Sequence, residues 1–171
     1  MSQLLDITRL RERLHAVARR LSFLGPTLAR LTVGLVFIGT GWGKLHTLPD
    51  VTQFFASLHI PAPGLNARIA ASTEFFGGIL VLVGLATRLA SLPLMFTMVV
   101  AIVTAKRADI DGLSSLVGLE EWSYLVFFVW LAVAGAGPVS LDRFVAPRLE
   151  RWLDNKKSAN PANVAPRAAT T

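Results

Sequence analysis

Four long apolar runs dominate the pattern of hydrophobic and polar positions along the chain. They cover residues 27–45, 69–87, 89–105 and 122 to about 139. Each run holds about 17–19 residues, close to the ~20 that an α-helix needs to cross the hydrocarbon core of a bilayer. The pattern therefore predicts an all-α integral membrane protein whose four spans form a four-helix bundle over residues 26–140.

Amphipathic segments flank the four runs. In these segments, apolar residues recur at helical spacing among arginines. They are Leu10, Leu14, Val17 and Leu21 before the first run, and Val145, Leu149, Trp152 and Leu153 after the last. This pattern predicts interfacial helices over residues 1–25 and 141–154, lying on the cytoplasmic leaflet. A helix packed on a soluble partner is the alternative for the first segment. Residues 155–171 carry too little apolar surface to fold and are predicted to be disordered.

The connection between the first and second runs contains a further short amphipathic pattern. Its apolar residues Val51, Phe54, Phe55 and Leu58 fall at i, i+3, i+4 and i+7. This spacing predicts a short helix with Thr47 as its N-cap. Such a helix would be either a lid across the mouth of the bundle or a passive interfacial element, and the sequence leaves both interpretations open.

The distribution of Lys and Arg predicts the orientation of the chain. With four spans, both termini and the connection after the second span share one side, and that side carries 13 of the 17 basic residues. The positive-inside rule then places both termini in the cytoplasm of a bacterial inner membrane. The net charge of +6 is concentrated beside the spans, where it would attract anionic lipid headgroups rather than nucleic acid.

Cysteine is absent from the chain. The chain by itself therefore cannot form a disulfide, exchange thiols or ligate an iron–sulfur cluster. Its three histidines lie outside the four runs, so the sequence predicts neither a metal site nor an intrinsic cofactor. A redox role would depend on a centre supplied by a partner protein.

One carboxylate, Glu74, interrupts the second apolar run. An ionisable group at the centre of a membrane helix costs about 2.5–3.5 kcal/mol on insertion scales, so it normally faces a protein interior or a polar cavity. Glu74 follows Arg68 by six residues, which predicts a depth of about 9 Å from the outer end of the span.

Basic and acidic groups at the outer ends of the other spans are candidate partners for Glu74. They include Lys44, Lys106 and Glu121. In one interpretation, Glu74 forms a buried ion pair with Lys44 or Lys106 that only fixes helix register. In the other, Glu74 and Lys44 are the catalytic residues of a polar pocket that binds a headgroup or relays protons. Lys106, Glu121 and Gly78 would then add to the binding site, because glycine leaves room beside the carboxylate.

A second polar set is predicted at the cytoplasmic face, formed by Arg30, Arg88 and Asp142. We expect a structural role for it: Asp142 would pair with Arg30 or Arg88 and lock the inner helix ends together. Alternatively, Asp142 or Ser140 would cap the helix that follows.

The chain resembles the DoxX family of small four-span bacterial membrane proteins over roughly residues 28–142. The matching segments are Gly-Trp-Gly-Lys at 41–44, Pro-Ala-Pro at 61–63, Glu-Phe-Phe-Gly-Gly at 74–78, Gly-Leu-Ala-Thr-Arg at 84–88 and Gly-Ala-Gly-Pro-Val-Ser-Leu-Asp at 135–142. The resemblance implies quinone-linked oxidation or a role in oxidative stress. Lys44, Glu74 and Arg88 occupy the polar positions of the family pattern.

These observations predict an integral membrane subunit of a quinone-linked redox or oxidative-stress assembly, with a quinone as the candidate ligand. Whether the chain itself is catalytic stays open. One alternative is a non-catalytic anchor that recruits soluble redox proteins through its basic helices. A weaker alternative is a transporter of protons or a small solute, which rests on Glu74 alone.

Overall fold

The computed structural model describes residues 11, 14–18 and 21–158. This part of the chain is all-α and contains no strand, which confirms the all-α part of the predicted fold class. The helices are α1 (Leu24–His46), α2 (Leu48–Ser57), α3 (Pro63–Val83), α4 (Thr87–Val103), α5 (Leu113–Gly118), α6 (Glu120–Ala134) and α7 (Asp142–Ser158), with a 3-10 turn at Arg107–Asp109. Residues 14–18 are also helical. Most of the helix predicted over residues 1–25, and the predicted disordered tail beyond residue 158, lie outside the described residues.

The helix boundaries follow the backbone preferences of proline and glycine rather than the ends of the apolar runs. Helix α3 begins at Pro63, six residues before the predicted start, because proline suits the first turn of a helix. It ends at Val83 because Gly84 adopts a left-handed conformation with φ 71°. Helix α6 ends at Ala134, since Gly135 has φ 81°. Among the described residues, α1 and α3 are both long and apolar enough to cross a membrane.

Two helix pairs share one apolar core. Helix α1 packs along α3, and α4 packs along α6. The core residues are Ala29, Val33 and Phe37 of α1, Val81 of α3, Ala90, Leu94 and Met98 of α4, and Phe128 and Leu131 of α6. Phe37 joins the two pairs, because its ring meets those of Tyr124 and Phe128 edge-on at centroid distances of 5.4 and 4.8 Å.

Glycines bring α1 and α3 into backbone contact in antiparallel register. A methyl group added at Gly41 would overlap the backbone of Phe75, and one added at Gly78 would lie 2.8 Å from the amide nitrogen of Ile38. Gly34 makes the same kind of approach to α3 about two turns before Gly41 in α1. This close seam is the local reason why side chains of α1 reach the middle of α3.

The short helix α2 packs against α3. Thr47 precedes it, but the Thr47 hydroxyl donates to the Gly43 carbonyl at 3.1 Å. The predicted side-chain N-cap is therefore wrong, and Thr47 closes the end of α1 instead.

The two ends of the packed helices differ in the helix that lies next to them, α2 at one end and α7 at the other. The α2 end holds the last turns of α1 and α4 and the first turns of α3 and α6, while the α7 end holds their opposite termini. At the α7 end, the amide of Leu141 donates to the Val83 carbonyl at 3.2 Å, and that of Asp142 donates to the Gly84 carbonyl at 2.9 Å. Helix α7 is thereby attached to the turn between α3 and α4. It continues to Ser158, past the predicted boundary at residue 154.

Candidate functional site

A buried ion pair joins α1 to α3. Lys44 Nζ donates to Glu74 Oε1 at 2.5 Å. Glu74 is only 3% exposed, whereas the Lys44 side chain is 37% exposed. The pair therefore connects a carboxylate inside the protein with the molecular surface at the α2 end.

Glu74 lies deeper than its sequence context predicts. Because α3 begins at Pro63 and ends at Val83, Glu74 is about 16 Å from one end of the helix and about 14 Å from the other at 1.5 Å per residue. The predicted depth of 9 Å is too small, since it was measured from Arg68, which proves to be inside the helix. Lys44 comes from the last turn of α1, so its flexible stem extends inward to meet the carboxylate.

The second carboxylate oxygen of Glu74 has no hydrogen-bond partner in the described part of the chain. A buried acceptor without a donor is costly, on the order of 1–3 kcal/mol and more for a charged group. The pair is therefore half-satisfied: one oxygen faces the ammonium group, and the other is buried without a donor among the described residues.

Aromatic rings lie beside the pair. The Trp42 ring is 5.6 Å from the ring of Phe75 and 4.2 Å from that of His46. The His46 Nδ1 atom lies 2.9 Å from the Trp42 carbonyl oxygen. Trp42 is more than half exposed, so this aromatic cluster is accessible from outside the helix pair.

The glycines next to Glu74 contact protein rather than open space. A methyl group on Gly78 would meet Ile38 of α1, and one on Gly77 would meet the Leu94 side chain of α4 at 3.0 Å. The room that the sequence predicts beside the carboxylate is therefore filled by neighbouring helices. Gly78 acts in helix approach, and the structure gives no support for direct ligand contact by this residue.

Lys106 and Glu121 form a separate cluster at the α2 end. Lys106 Nζ lies 3.9 Å from Glu121 Oε1 and 3.8 Å from Asp109 Oδ2. All three side chains are partly exposed. In the described residues, no hydrogen bond or ion pair connects this cluster with Glu74. The single site predicted from the sequence is thus two clusters, and Lys44 rather than Lys106 is the partner of Glu74.

Asp142 caps a helix from a distant part of the chain. Its carboxylate accepts hydrogen bonds from the amides of Ala86 at 2.6 Å and Thr87 at 3.3 Å, which are the N-cap residue and the first residue of α4. Acceptance of free amides at a helix N-terminus is the usual chemistry of a capping carboxylate. In the described residues, the amides of Phe144 and Val145 in the first turn of α7 donate to the Leu141 carbonyl, and the Ser140 hydroxyl donates to the Gly137 carbonyl at 2.8 Å.

The predicted ion pair between Asp142 and Arg30 or Arg88 does not form within the described residues. Arg30 is buried, and its Nη2 atom donates to the Val139 carbonyl at 2.5 Å. Arg88 is exposed and lies against Gly135, where an added methyl group would be 3.1 Å from its Nε atom. The helix ends at the α7 end are joined through backbone groups instead of paired charges.

A cavity of about 430 Å³ opens at the α7 end. Its wall is formed by the start of α4, the segment between α6 and α7, and the start of α7, and it includes Arg88, Asp142 and Arg143. Sequence reasoning did not single out Arg143, although it directly follows Asp142. Within the described residues, no group of three or more His, Asp and Glu side chains could hold a metal ion.

Comparison with known proteins identifies the family of the chain. The DoxX family profile matches residues 25–107. "Putative oxidoreductase CatD" of Bacillus subtilis is 32% identical over 124 residues, which cover 71% of this chain and 87% of CatD. The chain belongs to the DoxX family. Two further relatives of this DoxX protein come from Escherichia coli. Inner membrane protein YqjF is 28% identical, over 74% of this chain and 96% of its own length, and inner membrane protein YphA is 35% identical, over 68% and 86%. No solved structure matches the chain.

The DoxX match confirms the family resemblance and assigns the chain to a family of membrane proteins. The matched segment begins in α1 and ends just after α4. It therefore includes the Lys44–Glu74 pair and Arg88, whereas Asp142 and Arg143 lie beyond it.

Proposed function

We propose that this DoxX protein is an inner-membrane subunit of a quinone-linked redox or oxidative-stress assembly, in which Lys44 and Glu74 bind a quinone headgroup. The observation that supports the proposal most directly is the half-satisfied carboxylate: Glu74 is buried, one oxygen faces Lys44, and the other has no donor among the described residues. The name of CatD, "Putative oxidoreductase", is consistent with redox work by a relative.

The two side chains fit the polar atoms of such a headgroup. Glu74 Oε2 can accept a hydrogen bond from a hydroxyl group, and Lys44 can donate one to a carbonyl oxygen. A quinone would supply the two-electron carrier chemistry when bound. The role of the chain is to hold the headgroup and move a proton, because a buried carboxylate next to a partly exposed ammonium group links the interior to the surface.

We expect the headgroup to approach from the side of the helix pair. Trp42 and Phe76 are both more than half exposed, and they lie near the Lys44–Glu74 pair in sequence. Ligand sites are largely apolar with a few well-placed polar groups. This surface would therefore place a ring system next to the pair while the apolar tail remains among lipid chains.

The proposal includes four membrane spans, α1, α3, α4 and α6. Helices α4 and α6 are shorter than α1 and α3, but their outward faces are apolar. The exposed residues are Leu89, Leu92, Phe96, Val99 and Val103 of α4 and Val126, Phe127, Val129, Trp130 and Val133 of α6. Apolar surface of this extent is stable against lipid and is a liability in water. The Lys and Arg distribution supports cytoplasmic termini, with anionic lipids and a redox-centre-bearing protein as partners.

The test is quinol binding by the purified full chain in mild detergent. The ligand titrated is a benzoquinol with a decyl tail, because its hydroxyl groups can donate to Glu74 Oε2 whereas the oxidised quinone carries no donor. Binding is followed through the quenching of tryptophan fluorescence, to which Trp42 contributes. We expect Glu74→Gln to weaken binding about tenfold or more, because loss of a hydrogen bond to a charged group costs about 1.5–3 kcal/mol. Glu120→Gln is the matched control, since Glu120 is exposed and makes no contact with the pair.

Equal affinity for the headgroup in wild type, Glu74→Gln and Glu120→Gln would contradict its assignment to this site. The anchor alternative would then be favoured if the doubly substituted Lys44→Met/Glu74→Met protein still retained its native protein partners during purification from cell membranes. Loss of quinol binding in Glu74→Gln with an unchanged unfolding temperature would support the proposed site and argue against a purely structural ion pair.

A further inference from the structure

The cavity at the α7 end has features of a binding site distinct from the Lys44–Glu74 pair. Its volume of about 430 Å³ lies within the range of about 300–1,000 Å³ typical of small-molecule sites. It opens where the helices end, at the boundary between their apolar surfaces and the α7 segment. Its lining combines charged groups with apolar ones, of which Arg88, Arg143, Leu89 and Pro138 are the most relevant here.

Two guanidinium groups give the cavity its positive charge. Arg88 and Arg143 are exposed, and in the described part of the chain neither makes a hydrogen bond or an ion pair. Asp142 also lines the cavity, but its carboxylate is occupied by the amides of Ala86 and Thr87. The acidic group is therefore held by backbone donors, and the two arginines remain available to an anion.

Gly135 lies against one of these arginines, Arg88. The glycine backbone has φ 81°, a conformation that L side chains rarely adopt. A methyl group at this residue would come within 3.1 Å of Arg88 Nε and 3.6 Å of Arg88 Nη2. The guanidinium thus lies directly on the Gly135 backbone and is held at the cavity wall.

The apolar part of the wall indicates what kind of anion fits. Leu89 is 70% exposed, and Val139, next to the lining residue Pro138, is 54% exposed. A free phosphate ion would leave this apolar surface uncovered. A phospholipid would cover it with its glycerol and upper acyl segment while its phosphate faced the arginines, whose planar donors suit phosphate oxygens. Basic pockets between membrane helices are known headgroup sites.

We propose that the cavity between α4, the α6–α7 segment and α7 binds the phosphate headgroup of an anionic phospholipid through Arg88 and Arg143. The site is independent of the quinone proposal, since it uses different residues at the opposite end of the helices.

The test is native mass spectrometry of the full chain in detergent with added phosphatidylglycerol, phosphatidylcholine or inorganic phosphate. We expect wild type to retain phosphatidylglycerol in preference to phosphatidylcholine. Arg88→Gln and Arg143→Gln should each weaken retention about fivefold, which corresponds to about 1 kcal/mol for one basic residue at an anionic surface. Arg148→Gln is the matched control: Arg148 is exposed on α7, does not line the cavity, and donates to the Phe144 carbonyl within its own helix.

Equal retention of phosphatidylglycerol by all four proteins would overturn the proposal, as would equal retention of the two lipids by wild type. Inorganic phosphate bound with the same arginine dependence, and competing with the lipid, would reassign the site to a soluble phosphate and overturn the lipid assignment. Arg88→Lys preserves the charge and should retain more lipid than Arg88→Gln. Because both arginines are exposed, the unfolding temperature of each variant should stay near that of wild type. If Arg88→Gln does not fold, lipid retention by Arg143→Gln decides the outcome.

Discussion

The two single substitutions in the Lys44–Glu74 pair should lower the free energy of unfolding by very different amounts. Lys44→Met leaves a carboxylate that is 3% exposed without its cation, and loss of one partner of a buried pair costs about 3–5 kcal/mol. We expect about 3 kcal/mol, the lower part of that range, because the Lys44 side chain is 37% exposed in the native pair. Glu74→Met leaves a lysine that can turn toward water, and we expect a cost of about 1 kcal/mol.

The doubly substituted protein measures the coupling free energy between the two side chains. Replacement of a buried ion pair by apolar residues of similar size is often neutral or stabilising, so Lys44→Met/Glu74→Met should unfold near the wild-type midpoint. The coupling free energy of the double-mutant cycle would then be about 4 kcal/mol, above the usual range for residues in contact. The assay is denaturant-induced unfolding of the purified chain in mixed micelles. Lys106→Met and Glu121→Met are the matched control, because that pair is 3.9 Å apart and partly exposed, and about 1 kcal/mol or less is expected.

Additive effects of the two substitutions at Lys44 and Glu74 would refute this reasoning. So would a Lys44→Met protein within about 0.5 kcal/mol of wild type, the ordinary range for a surface substitution. Either result would mean that the carboxylate is hydrated or paired in some other way in the membrane protein.

Two further predictions concern packing and capping. Gly41→Ala should destabilise the chain by about 1–3 kcal/mol, because the added methyl group meets the Phe75 backbone. Gly43→Ala is the control: nothing lies within 4 Å of the added methyl group, so the substitution should be neutral or stabilising by up to about 1 kcal/mol. Thermal unfolding of both variants measures the difference. Equal unfolding midpoints would contradict the close contact between α1 and α3. Asp142→Ala should cost about 1–2 kcal/mol through the loss of the cap on α4 and should speed hydrogen exchange at the Ala86 and Thr87 amides. Asp154→Ala, an exposed control on α7, should change neither quantity, and unchanged exchange in Asp142→Ala would exclude the capping role.

The sequence identified the buried carboxylate because the physical rule is local: a charge in an apolar run requires compensation. It could not select between Lys44 and Lys106, since both side chains are long enough to reach inward and only helix packing decides which is nearer. The depth of Glu74 was also underestimated. Hydropathy marks where apolar residues begin, whereas the start of α3 depends on Pro63 and on the left-handed backbone of Ala62.

The partner of Asp142 was inaccessible to sequence reasoning for a different reason. Its hydrogen bonds run to backbone amides 55 and 56 residues away. Every residue except proline carries such an amide, so side-chain types give no signal for the contact. The charge pattern suggested an arginine as partner, and the fold supplied two free amides of a helix start instead. The Lys106–Glu121 cluster likewise depends on the turn after α4, which no periodicity describes.

The attachment of Asp142 to α4 also constrains the order of assembly during translation. The amides of Ala86 and Thr87 emerge from the ribosome well before residue 142, and until then their native acceptor does not exist. In the proposed four-span topology, the hairpin of α3 and α4 would therefore enter the bilayer before the amides of its connecting turn meet Asp142, and the start of α7 would complete that turn afterwards. A chain released before residue 142 would contain every proposed span and still lack the group that closes the turn between the second and third.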